Sequence, residues 1–228
     1  MRFYKIKLFF SPFINVIFPE RRSAKRRDFD FAAITPDKLA QKLPRASGLP
    51  RELAENRIAA CLSYRDPLVR TLVWRIKTKR DRHAFVCGAY ILREKLKQMR
   101  IAGESSVPIV IPMPIHRKRL RERGYNQCEL LARKIKNLDI EIRTDILFRK
   151  YRKENAKKQA FKNRSERHTG MKGVFYANVS AIEKIQDLST RRIIVLDDVL
   201  TTGSTMNEAI LTLQKAGCKN VSGLALAH

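Results

Sequence analysis

Two adjacent carboxylates and a run of small hydroxyl residues stand together near the C-terminal end of this 228-residue chain. They are Asp197 and Asp198, then Thr201, Thr202, Gly203, Ser204 and Thr205. Hydroxyls and loop N–H groups at the head of a helix make a cradle for one phosphate, and a glycine lets the backbone approach closely. The acids cannot share that phosphate, so they suit a group with hydroxyls. A phosphorylated sugar meets both needs, with phosphate on the loop and a ribose diol on the acids. The plain alternative is a strand ending in a capped acidic turn. The ordered set of acids, threonines, glycine and serine favours the phosphosugar.

These residues need a strand before them and a helix after. Ile193 to Leu196 is a short β-branched and aliphatic run, fit for a buried parallel strand that ends at the two acids. Thr205 and Glu208 have the spacing of a capping box. Met206, Ala209, Ile210, Leu213 and Ala216 then recur at helical spacing, and Gly217 can close the helix in a left-handed turn.

A second candidate lies upstream. Val107 to Pro112 reads as a strand, followed by Met113, Pro114, Ile115, His116 and Arg117 and a turn crowded with lysine and arginine up to Gln127. A basic turn directly after a strand end can hold a diphosphate. Taken alone, it also reads as a solvated basic loop. Asn126 and Glu129 suggest the cap of the next helix.

The acid-and-hydroxyl stretch resembles the 5-phosphoribosyl 1-diphosphate (PRPP) loop of type I phosphoribosyltransferases. That resemblance implies that Asp197 and Asp198 bind the ribose hydroxyls and that Thr201 to Thr205 bind the 5′-phosphate. It also implies Mg²⁺, held largely by the ligand. Adding Ile111 to Gln127 and the run Gln159 to Arg167, residues 55–228 resemble ComF-type proteins of bacterial DNA uptake, relatives of amidophosphoribosyltransferases. The resemblance makes Met113 to Arg117 the diphosphate loop. It makes the basic excursion between Arg143 and Lys172 a flexible loop over the site, with Lys158, Arg167 and Lys172 as candidate ligand contacts. The expected fold class is α/β, a mainly parallel sheet flanked by helices.

Two departures stand out. Proteins of this type usually begin with a four-cysteine zinc module, whereas no cysteine here precedes Cys61. No zinc is therefore expected. Gly170 also stands where the family usually has Asn.

The formal net charge of +26 implies a polyanionic partner such as nucleic acid, or else a compositional lysine bias. The cysteines Cys61, Cys87, Cys128 and Cys218 form no CxxC pair and read as reduced core thiols of a cytoplasmic protein. No apolar run is long enough for a membrane span.

Residues 1–50 read as an N-terminal apolar and basic extension, irregular around Pro36, Pro44, Gly48 and Pro50. Its apolar face and basic cluster fit either a docked helix with a solvated loop or a surface anchor. Residues 51–228 read as the phosphoribosyltransferase-like domain. From Arg51 the pattern turns helical, with Asp66-Pro67 starting one helix and a second running from Asp81 to Gln98.

Three readings of function follow. The chain is a PRPP-binding module acting with single-stranded DNA or DNA-uptake partners, a nucleotide-salvage enzyme, or an amidophosphoribosyltransferase-like enzyme moving phosphoribosyl to a nitrogen acceptor. His116 is the obvious titratable group, better read as a phosphate contact or an exposed histidine than as a base. Assembly into a homo-oligomer is left open.

Overall fold

A computed structural model describes residues 33–47, 49–99, 106–150 and 173–228. The apolar and basic run before residue 33 and residues 151–172 of the basic excursion, with Lys158, Gln159, Arg167, Gly170 and Lys172, lie outside them, whereas its first residues, Arg143 to Lys150, lie within them and include a short strand.

Five parallel strands form the main sheet. They are β1 (Ile58–Leu62), β2 (Ile109–Pro112), β3 (Glu141–Ile142), β6 (Ile193–Val199) and β7 (Val221–Ala227), in spatial order β1-β7-β6-β2-β3. The two strand runs read as site-bearing, β2 and β6, are direct neighbours, with Pro112 opposite Leu196. β7 flanks β6 on the other side. Two short strands, β4 (Leu147–Arg149) and β5 (Phe175–Ala177), pair antiparallel apart from this sheet.

Helices cover both faces, as crossovers between parallel strands require. On one face α4 (Arg82–Met99) packs close to α6 (Gln127–Lys134). A Cβ on Gly88 would stand 3.0 Å from Leu131 and 3.3 Å from Leu226 of β7. On the other face α8 (Ser204–Lys215) presses Met206 against Gly223 of β7, where a Cβ would meet its sulfur at 2.9 Å. Gly223 and Leu226 are three residues apart on one strand, so they point to opposite faces.

The chain leaves β2 towards β3 and leaves β6 towards β7, in opposite directions across the sheet. The carboxyl ends of β2 and β6 therefore flank a topological switch point, where open α/β sheets bind ligands.

Several local expectations hold. Asp66 caps α3 (Pro67–Trp74), its Oδ1 accepting from Leu68 and Val69 N–H at 2.8 and 3.1 Å. Asp81 caps α4 in the same way. Others need correction. The stretch after Arg51 holds only the short α2 (Arg51–Glu55) before becoming strand β1. The proline-rich stretch expected to be irregular contains α1 (Pro36–Lys42), with proline at its first position. This helix packs on α4 and buries Leu39. The basic turn after His116 is a helix, α5 (Arg117–Arg123), closed by Gly124 in a left-handed conformation.

Candidate functional site

Strand β6 does not stop at Leu196. It runs through both acids to Val199, which changes their roles. Successive side chains of a strand point to opposite faces, so the two carboxylates diverge at their roots. Asp197 is half-buried and lines a small pocket with Val199, Leu200, Thr201, Gly203, Thr205 and Met206. Asp198 is 3% exposed and does not line it.

The pocket is built by the loop into α8. Gly203 has φ 76°, a left-handed conformation that ordinary side chains avoid, and a Cβ there would stand 2.2 Å from Leu53 of α2. Gly203 is also the residue just before α8, with no side-chain cap. Thr205 and Glu208 therefore do not form the expected capping box. The helix starts two residues too early, and Glu208 accepts from Gly173 N–H instead. Thr202 and Ser204 hydroxyls bond each other at 2.9 Å outside the pocket lining. The head of this twelve-residue helix leaves N–H groups facing the loop, as a phosphate site needs.

The second loop leaves the same end of the sheet, since Met113 N–H donates to Leu196 C=O at 2.8 Å. Met113 is buried, Pro114, Ile115 and His116 are half-buried, and Arg117 is exposed. His116 precedes α5 and its Nδ1 accepts from Lys118 N–H at 3.3 Å. Asn126 Nδ2 donates to Met113 C=O at 3.1 Å, while its Oδ1 caps α6 through Cys128 N–H at 3.0 Å. Glu129, expected to help cap that helix, pairs with Arg133.

Three residues missed by sequence reasoning surround the acids. Lys77 lies in a π-helical turn (Arg75–Lys79) after α3, its Nζ 3.1 Å from Asp198 Oδ1. Cys128 is fully buried and its thiol donates to Asp197 Oδ1 at 3.4 Å. Arg149 on β4 feels the charges of both Arg119 and Asp197, its guanidinium lies 5.6 Å over the Phe175 ring, and its Nε is buried without a hydrogen-bond partner among the described residues. A signal for Lys77 existed. It falls at the next inward position of the stripe Val69, Leu72, Val73 and Ile76, where a lysine is out of place.

Electrostatics follow from this crowding. Burial, then the neighbouring Asp198 charge, pushes the Asp197 carboxyl above the usual carboxylate range, with Lys77 opposing. Burial and then Asp197 and Asp198 push the Cys128 thiol well up, so it acts as a donor and not as a thiolate. Tyr64 is pushed up to about 12 by burial and then Asp198. One oxygen from each acid and the Cys128 sulfur lie within 4.8 Å of one another. All four cysteines are buried and free.

A paired-strand crevice, a phosphate-type loop into a helix and a strand-borne acid pair coincide with a family match. Residues 123–227 fit the phosphoribosyl transferase domain. A curated relative, Competence protein F of Haemophilus influenzae, is 34% identical over 120 residues, covering 52% of this chain and 49% of the relative. Residues 123–227 are thus phosphoribosyltransferase-like, and about half of the chain is similar to that competence protein. The chain spans about half the length of that curated relative. A solved structure described as an analysis of an invariant aspartic acid in HPRTs, asparagine mutant, aligns over 69% of this chain and 66% of its own at 10% identity and a TM-score of 0.31. No helix among the described residues is long and apolar enough to cross a membrane.

Proposed function

We propose that the crevice between the ends of β2 and β6 binds PRPP, and that the chain is a ComF-type protein that uses it beside DNA during uptake. The observation that carries the reading is one pocket formed by Asp197, Thr201, Gly203 and Thr205 at the head of α8. There an acid and a phosphate cradle stand side by side. The 5′-phosphate takes the loop and the helix head, a ribose hydroxyl takes Asp197, and the diphosphate faces Met113 to Arg117.

Mg²⁺ suits this arrangement. The half-buried Asp197, with the Asp198 carboxylate behind it, gives the pocket floor negative charge, and the ligand's diphosphate and ribose oxygens supply the donors. When bound, the ion neutralises charge on the diphosphate. The four buried thiols suit a reducing compartment, and we take the protein to be cytoplasmic.

Transfer of phosphoribosyl is the second reading, favoured by the half-buried Arg149, a cation within electrostatic reach of Asp197. In that reaction a nitrogen nucleophile forms a bond to ribose C1 as the C1–O bond to diphosphate breaks. A cation near the leaving group lowers that barrier by offsetting its developing charge.

Equilibrium dialysis with Mg²⁺ and three ligands tests the binding reading. PRPP should bind more tightly than ribose 5-phosphate or free diphosphate, because only PRPP engages both loops. Diphosphate binding as tightly as PRPP would reduce the site to a basic patch.

A further inference from the structure

We propose that Lys77 is a positioning residue for this pocket, clamping Asp198 so that the acid pair presents Asp197 to the ligand. The inference rests on the phosphosugar reading of the pocket and deepens it.

The ion pair is built in. Lys77 Nζ and Asp198 Oδ1 lie 3.1 Å apart, with side chains 14% and 4% exposed. Asp198 Oδ2 is buried with no hydrogen-bond partner among the described residues. A buried carboxylate with one oxygen unsatisfied is held by its cation or not at all. Asp198 is in turn tied to its neighbour, because its backbone N–H donates to Asp197 Oδ1 at 2.8 Å. Moving the Asp198 peptide therefore moves a hydrogen bond of the pocket acid.

The turn that carries Lys77 is itself fixed to the site. A π-turn inside a helical segment is uncommon and concentrates at functional positions. Here Arg75 Nη1 and Asp81 Oδ2 pair at 2.9 Å across it, and Arg80 ends it in a left-handed conformation. Tyr125 Oη donates to Ile76 C=O within it at 2.8 Å. The next residue, Asn126, holds Met113 of the second loop, and Cys128 holds Asp197. The segment Tyr125 to Cys128 thus links the Lys77 turn, the loop after β2 and the pocket acid.

A lysine that only neutralised a buried charge would affect folding and leave the affinity of folded molecules unchanged. A positioning lysine affects affinity at full binding stoichiometry. Calorimetry with PRPP and Mg²⁺ separates these on wild type, Lys77→Met, Asp198→Asn and the double variant. Lys77→Met should weaken PRPP by roughly tenfold to a hundredfold with stoichiometry retained, the scale of a hydrogen bond to a charged group. Added to Asp198→Asn, it should cost little more, since its partner's charge is already gone.

Wild type that binds no PRPP overturns the phosphosugar reading and this inference with it. PRPP binding that survives Lys77→Met at unchanged affinity overturns the inference alone. So does a Lys77→Met loss that is undiminished beside Asp198→Asn. Should Lys77→Met fail to fold, Tyr125→Phe carries the test, because it frees the turn and leaves both charges in place. It should weaken PRPP severalfold at full stoichiometry, and unchanged affinity there overturns the inference.

Discussion

At the residue scale, Asp197 carries a pH-dependent cost to stability. Its proton is held more tightly in the folded protein than in the unfolded chain, first because of burial and second because of Asp198. An acid whose folded pKa is raised gives its full stability below the unfolded value. It loses that contribution as pH rises through the folded value. Above that window the native state carries a costly charge. Asp197→Asn mimics the protonated form, so it should raise the melting temperature of the ligand-free protein at pH 8. The gain should shrink as pH falls towards the usual carboxylate range. Thermal melts from pH 4 to pH 8 check this, and a gain that does not change with pH would contradict it.

At the scale of elements, the loop into α8 is where backbone geometry sets the pocket. Gly203→Ala forces a side chain into a left-handed conformation and drives its Cβ to 2.2 Å from Leu53. The backbone strain alone costs about 1–2 kcal/mol. Urea unfolding should show at least that loss, and adding Leu53→Ala should not restore it, since the strain at Gly203 remains.

Much of this geometry was legible in advance. The apolar run of β6, the Asp66-Pro67 start of α3 and the glycine in the loop each follow from local sterics. β1 was not legible, because Ile58 to Leu62 is a five-residue apolar run that helix and strand accommodate equally. Nor was the divergence of Asp197 from Asp198. It depends on β6 continuing past Leu196, and that continuation is stabilised by pairing with β7 up to Val199 and Ala227. Lys77 was only half legible: its place on the apolar stripe of Val69, Leu72, Val73 and Ile76 marks it as inward-facing, but its partner Asp198 lies on a distant strand that local sequence does not bring near.

At the scale of the whole molecule, the +26 net charge is far more than one phosphosugar needs. If the excess meets single-stranded DNA, affinity should fall steeply with salt. Serine at Lys150, Lys153, Lys157 and Lys158 should then flatten the slope by roughly 0.7 for each DNA phosphate that is no longer neutralised. Fluorescence anisotropy across a salt series reads both, and wild type without salt-dependent binding would leave DNA out of the account. DNA affinity should not fall on Asp197→Asn, because that change removes a negative charge. The central claim is that Asp197 and the Thr201–Thr205 loop bind a phosphoribosyl ligand. Titration calorimetry of wild type and Asp197→Asn with PRPP and Mg²⁺ tests it most directly. The account predicts saturable one-to-one binding by wild type and a loss on the order of tenfold or more in the variant. Equal affinity in the two proteins, or no binding by wild type, would contradict it.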